Sequence, residues 1–147
     1  MTYLDTSALV KRFVSEAGSR EIRSLLTGNE PIASATIAYA ELYSGLTRRH
    51  REGALSQLQY RLARRRFERD WMALVKVELG AEILSSARGL IQRHSLRAFD
   101  AIHLASALGL QAAANEPVTF VAADQRLLRA AAGERLATVN PETASGR

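Results

Sequence analysis

Apolar and polar positions divide the chain into short β-prone runs and longer helical ones. Residues 2–4 form a β-prone run that ends at Asp5. Thr6 or Ser7 then caps an expected helix reaching about residue 15, with Leu9, Val10, Phe13 and Val14 on its apolar side. Residues 19–26 read as a second helix stopped by Thr27-Gly28-Asn29, and residues 31–34 as a short strand. Over 37–49, Ile37, Tyr39, Ala40, Tyr43 and Leu46 recur near helical spacing. Gly53 breaks this pattern, and residues 54–70 resume it with Leu55, Leu58 and Leu62 on one face.

Residues 72–77 are β-like, 80–94 helical, and 99–114 helical and almost wholly apolar. Asn115-Glu116-Pro117 ends that helix, residues 118–122 form the clearest strand, and Asp124 opens a short helix to about residue 132. Residues 136–139 are a last strand, and the polar tail from Asn140 is expected to be loose. Short strands alternating with helices predict an α/β fold: a short, mostly parallel central sheet flanked by helices. The two helices between Ile37 and Asp70 depart from simple alternation and predict a projecting helical hairpin. With 147 residues and no linker or repeat, residues 1–147 are expected to form one domain.

Composition narrows the chemistry. Apolar residues make up 47% and charged residues 24%, an ordinary globular mix rather than a disordered one. The absence of cysteine removes disulfides, thiol nucleophiles and Cys-based zinc sites. No basic start precedes an apolar run and no stretch is long and apolar enough to span a bilayer, so a cytoplasmic protein with no membrane partner is expected. The net charge is +5, and of 20 basic residues only Lys11 and Lys76 are lysine. Arginine forks suit phosphate oxygens, although codon bias gives the same excess. Arg61, Arg65 and Arg69 recur every four residues on one helix face, as an RNA backbone track or simply a solvated surface.

The acidic residues carry the sharper signal. Asp70 lies in a charged run and reads as a solvated helix-end residue. Asp5 and Asp124 each follow a predicted strand, where ligands gather in open α/β sheets, though Asp is also a favoured helix cap. Asp100 sits in an apolar helix and is expected to be buried, either in a convergent acidic site or paired with Arg97. Glu41 lies in an equally apolar stretch; its alternative is an exposed position on an amphipathic helix. Carboxylates sharing a cleft raise one another's pKa, and Mg2+ or Mn2+ removes that conflict through oxygen ligands. Such a site suits phosphodiester hydrolysis. His103, three residues from Asp100, reads as a core or hydrogen-bonding histidine rather than a catalytic one.

Four motifs in order resemble PIN domains in the form found in VapC toxins. They are Tyr3-Leu4-Asp5-Thr6-Ser7-Ala8-Leu9; Ala40-Glu41-Leu42; Phe99-Asp100-Ala101-Ile102-His103-Leu104-Ala105-Ser106-Ala107; and Phe120-Val121-Ala122-Ala123-Asp124-Gln125-Arg126-Leu127-Leu128. The resemblance implies a PIN-like fold, endoribonuclease activity on RNA with Mg2+ or Mn2+, a homodimer and a VapB-like antitoxin. It also implies that Asp5 and Asp100 are direct metal ligands. Glu41 and Asp124 would bind directly or through water, and Thr6 or Ser7 would support the site. One departure is Ala122, where many relatives carry a hydroxyl that could orient Asp124. Two other functions fit parts of the pattern: a phosphatase using Asp5 as nucleophile, which lacks the second Asp expected of it, and a catalytically silent PIN or receiver-like partner-binding module.

Overall fold

The computed structural model describes residues 1–143. Strands β1 (Thr2–Leu4), β2 (Ile32–Ala35), β3 (Val75–Val77), β4 (Thr119–Val121) and β5 (Ala137–Val139) form one sheet in the order β3-β2-β1-β4-β5. Every neighbouring pair is parallel. Parallel pairing needs a crossover between consecutive strands, and helices supply each one. Helix α1 (Thr6–Leu9), a 3-10 turn (Val10–Arg12) and α2 (Ser19–Leu25) join β1 to β2. Helices α3 (Ile37–Arg51) and α4 (Gln57–Ala73) join β2 to β3, and α5 (Ala81–His94) and α6 (Ala98–Ala114) join β3 to β4. Helix α7 (Gln125–Gly133) leads into β5.

Successive strand residues point to opposite faces, so the central strands feed two cores. Tyr3, Ala33 and Phe120 pack with Leu90, Leu104 and Leu127 from α5, α6 and α7. Leu4 and Val121 pack with Leu9, Phe13, Leu42 and Phe67 on the other face. With both faces covered, the central strands β1 and β4 carry no charged residue, whereas the more exposed edge strand β3 contains Lys76.

Several boundaries differ from expectation. The first helix ends at Leu9 and tightens into the 3-10 turn, well short of residue 15. Its cap is Asp5, one residue before the expected Thr6 or Ser7. Helix α4 begins at Gln57 because Ser56 and Gln59 form a reciprocal capping box. It runs on to Ala73 and so shortens the following strand. Asp70 is partly buried within α4 and pairs with Arg12 at 3.2 Å, so it is not a solvated end residue.

The α3–α4 hairpin is antiparallel. Tyr39 and Tyr43 both donate to Glu68, and farther along Thr47 meets Tyr60 at 2.9 Å. Ala38, Leu42 and Phe67 seat its base on the core, while His50 stacks on Tyr60 near the exposed tip at 51–54.

The start of the expected loose tail is anchored: Pro141 is buried and Glu142 pairs with Lys11. The rest of that tail, 144–147, lies outside the described residues. Pro141 packs on Gly18, which has φ +82° and where a Cβ would lie 3.0 Å from the Pro141 carbonyl carbon. Both features demand glycine. Gly18→Ala is therefore expected to cost at least about 1–2 kcal/mol from the left-handed backbone alone. Urea denaturation should show a lower midpoint with an unchanged m value; an unchanged midpoint would refute this packing.

Candidate active site

The chain leaves β1 towards β2 on one side, while β4 lies on the other. The crevice beyond β1 and β4 is thus a topological switch point, where α/β sheets bind ligands. Asp5 follows β1 and Asp124 closely follows β4. The two loops are tied together: the Asp5 amide donates to the Val121 carbonyl at 3.1 Å, and the Ala123 amide to Ser7 Oγ at 3.0 Å.

Asp5 is buried and caps α1. Its carboxylate accepts from the Ser7 hydroxyl at 2.7 and 2.9 Å and from the Ala8 amide at 2.9 Å. Burial pushes its pKa up to about 6, and the charge of Asp100 adds to this. Attraction to His103 and the bonds from Ala8 and Ser7 oppose the rise without cancelling it.

Glu41 faces Asp5 from α3. Its Oε1 accepts from the Thr6 hydroxyl at 2.8 Å and from His103 Nε2 at 2.7 Å. An ionised carboxylate has no proton to give, so Nε2 is the donor in this pair. His103 Nδ1 pairs with the Tyr3 hydroxyl at 2.9 Å. Burial acts to raise the Glu41 pKa, but the His103 bond and charge and the Thr6 bond outweigh it, leaving the pKa lowered. His103 is buried, so its geometry is that of a hydrogen-bonding core residue orienting Glu41.

Asp100, in the first turn of α6, is only partly buried because it lies at the mouth of the cleft. Arg97 donates to it at 3.0 Å and also reaches Asp124 at 3.7 Å. Asp124 caps α7, accepting from the amides of Arg126 and Leu127 at 2.8 and 3.1 Å. Helix capping for Asp5 and Asp124, and the Arg97 ion pair for Asp100, are thus all present alongside the convergence.

The structure gathers Asp5, Thr6, Ser7, Glu41, Asp100 and His103 around one cleft of about 830 Å³. Asp124 lines an adjoining hollow with Arg97 and Asp100 and joins the group through Arg97. Each carboxylate is held by donors of the chain itself. Among the described residues, no three His, Asp or Glu side chains form a set that could hold a metal ion as they stand. The donor chemistry nevertheless fits a hard divalent cation: the carboxylates offer oxygen, and buried Asp5 carries a charge its neighbours do not fully compensate. Ala122 is buried in the core and offers Asp124 no hydroxyl. Arg61, Arg65 and Arg69 are exposed on α4 and do not line the cleft. The bridge from Arg97 to Asp124 escaped the sequence reading; only the i, i+3 spacing of Arg97 and Asp100 hinted at half of it.

Because the folded pKa of Asp5 lies above its unfolded value, its contribution to stability is greatest below about pH 4 and is lost as pH rises through about 6. In metal-free protein at neutral pH, Asp5→Asn should therefore stabilise the fold, by up to about 3 kcal/mol for a shift of about two pKa units. The gain should shrink towards zero near pH 4. A melting temperature difference that is the same at pH 4.5 and pH 7.5 would contradict this electrostatic account.

A family model described as "PIN domain" matches residues 2–133. The chain is similar to "Ribonuclease VapC45" of Mycobacterium tuberculosis (strain CDC 1551 / Oshkosh), with 36% identity over 140 residues covering 93% of this chain and 94% of that protein. It is 32% identical over 146 residues to "Ribonuclease VapC47" of the same strain, covering 96% and 97%. In fold it is similar to FitAcB from Neisseria gonorrhoeae, with a TM-score of 0.66, 20% identity and coverage of 97% and 99%. It is also similar to VapBC2 from Rickettsia felis bound to a promoter DNA fragment, with a TM-score of 0.61, 19% identity and coverage of 95% and 98%. The motif order, the parallel sheet and these likenesses agree: the chain belongs to the PIN domain family.

Proposed function

We propose that this chain is a Mg2+- or Mn2+-dependent endoribonuclease acting as the toxin of a toxin–antitoxin pair. The carrying observation is the buried, incompletely compensated carboxylate of Asp5 sharing a cleft with Glu41 and Asp100. Relatives named ribonucleases at 36% and 32% identity support the substrate class. A structural neighbour named as a toxin-antitoxin complex supports an antitoxin partner. A homodimer and a cytoplasmic location complete the reading; among the described residues no helix is long and apolar enough to cross a membrane.

Asp5 and Asp100 would hold the ion, with Asp100 exchanging Arg97 for it, and Glu41 and Asp124 would complete the shell directly or through water. Bound there, the ion would acidify a water molecule and offset charge on the phosphodiester. The chain's own residues do the positioning. Ser7 and Ala8 fix the Asp5 carboxylate in one orientation. Thr6 and His103 hold Glu41 through Oε1, leaving Oε2 to orient an attacking water. The lowered pKa keeps Glu41 ionised for that role. Arg97, once released from Asp100, can donate to a phosphate oxygen in its place.

Purified protein is expected to cut single-stranded RNA with Mg2+ or Mn2+ and to stop in EDTA. Asp5→Asn and Asp100→Asn should each slow cleavage at least about 100-fold, or about 3 kcal/mol of transition-state stabilisation. The measurement is gel-resolved RNA cleavage by folded variants. A folded Asp5→Asn protein that cuts in EDTA as fast as wild type does with Mg2+ would overturn the reading.

The exposed arginine row on α4 is read as a track for the RNA backbone. Changing Arg61, Arg65 and Arg69 together to Gln should weaken RNA binding and reduce the slope of log K against log salt by about 2, since each single-strand phosphate contact contributes about 0.7. An unchanged slope in binding titrations would return that face to solvent or to a protein partner.

A further inference from the structure

The cleft has a second end of opposite charge. Lys11 lines it with a side chain only 5% exposed, and its ammonium is held between Glu142 at 2.7 Å and Glu16 at 3.1 Å. Glu16 is also tied to Arg49 at 3.1 Å. Arg48 lines the same cleft, is exposed, and has no ion pair among the described residues. Three cations thus face two carboxylates at this end, against the cluster of Asp5, Glu41 and Asp100 at the other.

The two ends lie on the same elements. Lys11 comes one turn after Ser7, and on α3 the cleft is lined in succession by Glu41, Gly45, Arg48 and Arg49. Seven residues of helix carry the wall about 10 Å from Glu41 to Arg48. That exceeds the span of one phosphate group, so the ends suit different phosphates of one strand. Gly45 keeps the floor between them open: Arg49 folds back to donate to its carbonyl at 3.3 Å, and a Cβ there would crowd the guanidinium at 3.2 Å.

The two carboxylates are not equivalent. Glu16 lies in the loop before α2 and is shared by Lys11 and Arg49. Glu142 comes from a position 131 residues along the chain, at the end of the described residues, and is more exposed than Glu16 (40% against 29%). A buried ammonium requires an anion beside it. A phosphodiester meets that requirement as well as Glu142 does, and the departure of Glu142 raises the cluster from a net +1 to +2.

We propose that Lys11, Arg48 and Arg49 form a binding subsite for an RNA phosphate next along the strand from the one at the acidic end, and that Glu142 occupies this subsite in the free protein. The inference rests on the ribonuclease reading for its ligand but not for its geometry. Binding is measured in the Asp5→Asn background with Mg2+, using a labelled single-stranded RNA titrated at several salt concentrations. Adding Glu142→Gln should tighten Kd several-fold. Adding Arg48→Gln, which breaks no ion pair, should weaken Kd several-fold and reduce the salt slope by about 0.7. In the protein with Asp5 intact, Glu142→Gln should lower KM for RNA cleavage while keeping kcat. RNA bound equally by all three proteins would overturn the subsite and leave the ribonuclease reading standing, as would a Glu142→Gln protein that loses only thermal stability. The expected Kd shifts in a protein whose Asp5-intact form cuts no RNA would support the subsite and overturn the ribonuclease reading instead. No RNA binding by the Asp5→Asn parent would overturn the subsite.

Discussion

The structure depends on one burial: the carboxylate of Asp5 sits at the carboxyl end of the central strand, almost wholly removed from bulk water at the inner wall of the cleft. β1 has a strand on each side and a helical layer on each face. Whatever follows it emerges in the crevice between diverging connections. Removing a carboxylate from water costs several kcal/mol unless partners compensate it. Ser7 and Ala8 supply part of that compensation locally, and the short α1 exists around it, because its side-chain cap is Asp5 itself.

The rest of the cleft repeats the problem with different solutions. Glu41 is held by a chain of groups running from Thr6 through His103 to Tyr3 in the core. Asp100 and Asp124 share one guanidinium. On the proposed reading a cation would take the place of these partners, which keep the carboxylates covered until it binds. Arg97 is suited to that interval because its side chain is 79% exposed and its pairs lie at the rim, where an ion pair is easily exchanged.

Much of this was legible from sequence where the signal was local. The strand–Asp–helix pattern at Asp5 and Asp124 announced both the crevice and the caps. Asp100 stood out because apolar residues fill the rest of its helix, although its place in the first turn leaves it nearer the surface than that composition implied. Helix ends were less legible. A 3-10 turn and an α-turn share the same apolar spacing over so few residues, so the tightening at Val10 left no mark. Pairs such as Arg97 with Asp124 and Lys11 with Glu142 were invisible for another reason. They join segments far apart in the chain, and only the closed sheet brings them together.

The strand order has a further consequence, for the timing of synthesis. Of the five strands, β1 is made earliest and is the middle strand of the sheet, and its second edge stays bare until β4 has left the ribosome. At about 5–20 residues per second, roughly ten seconds separate the appearance of Asp5 from that of Asp124. Within that interval Glu41 follows Asp5 early, whereas Asp100 and then β4, which completes the crevice, come only near its end. The crevice beyond β1 and β4 therefore has both of its walls only after β4 has been made.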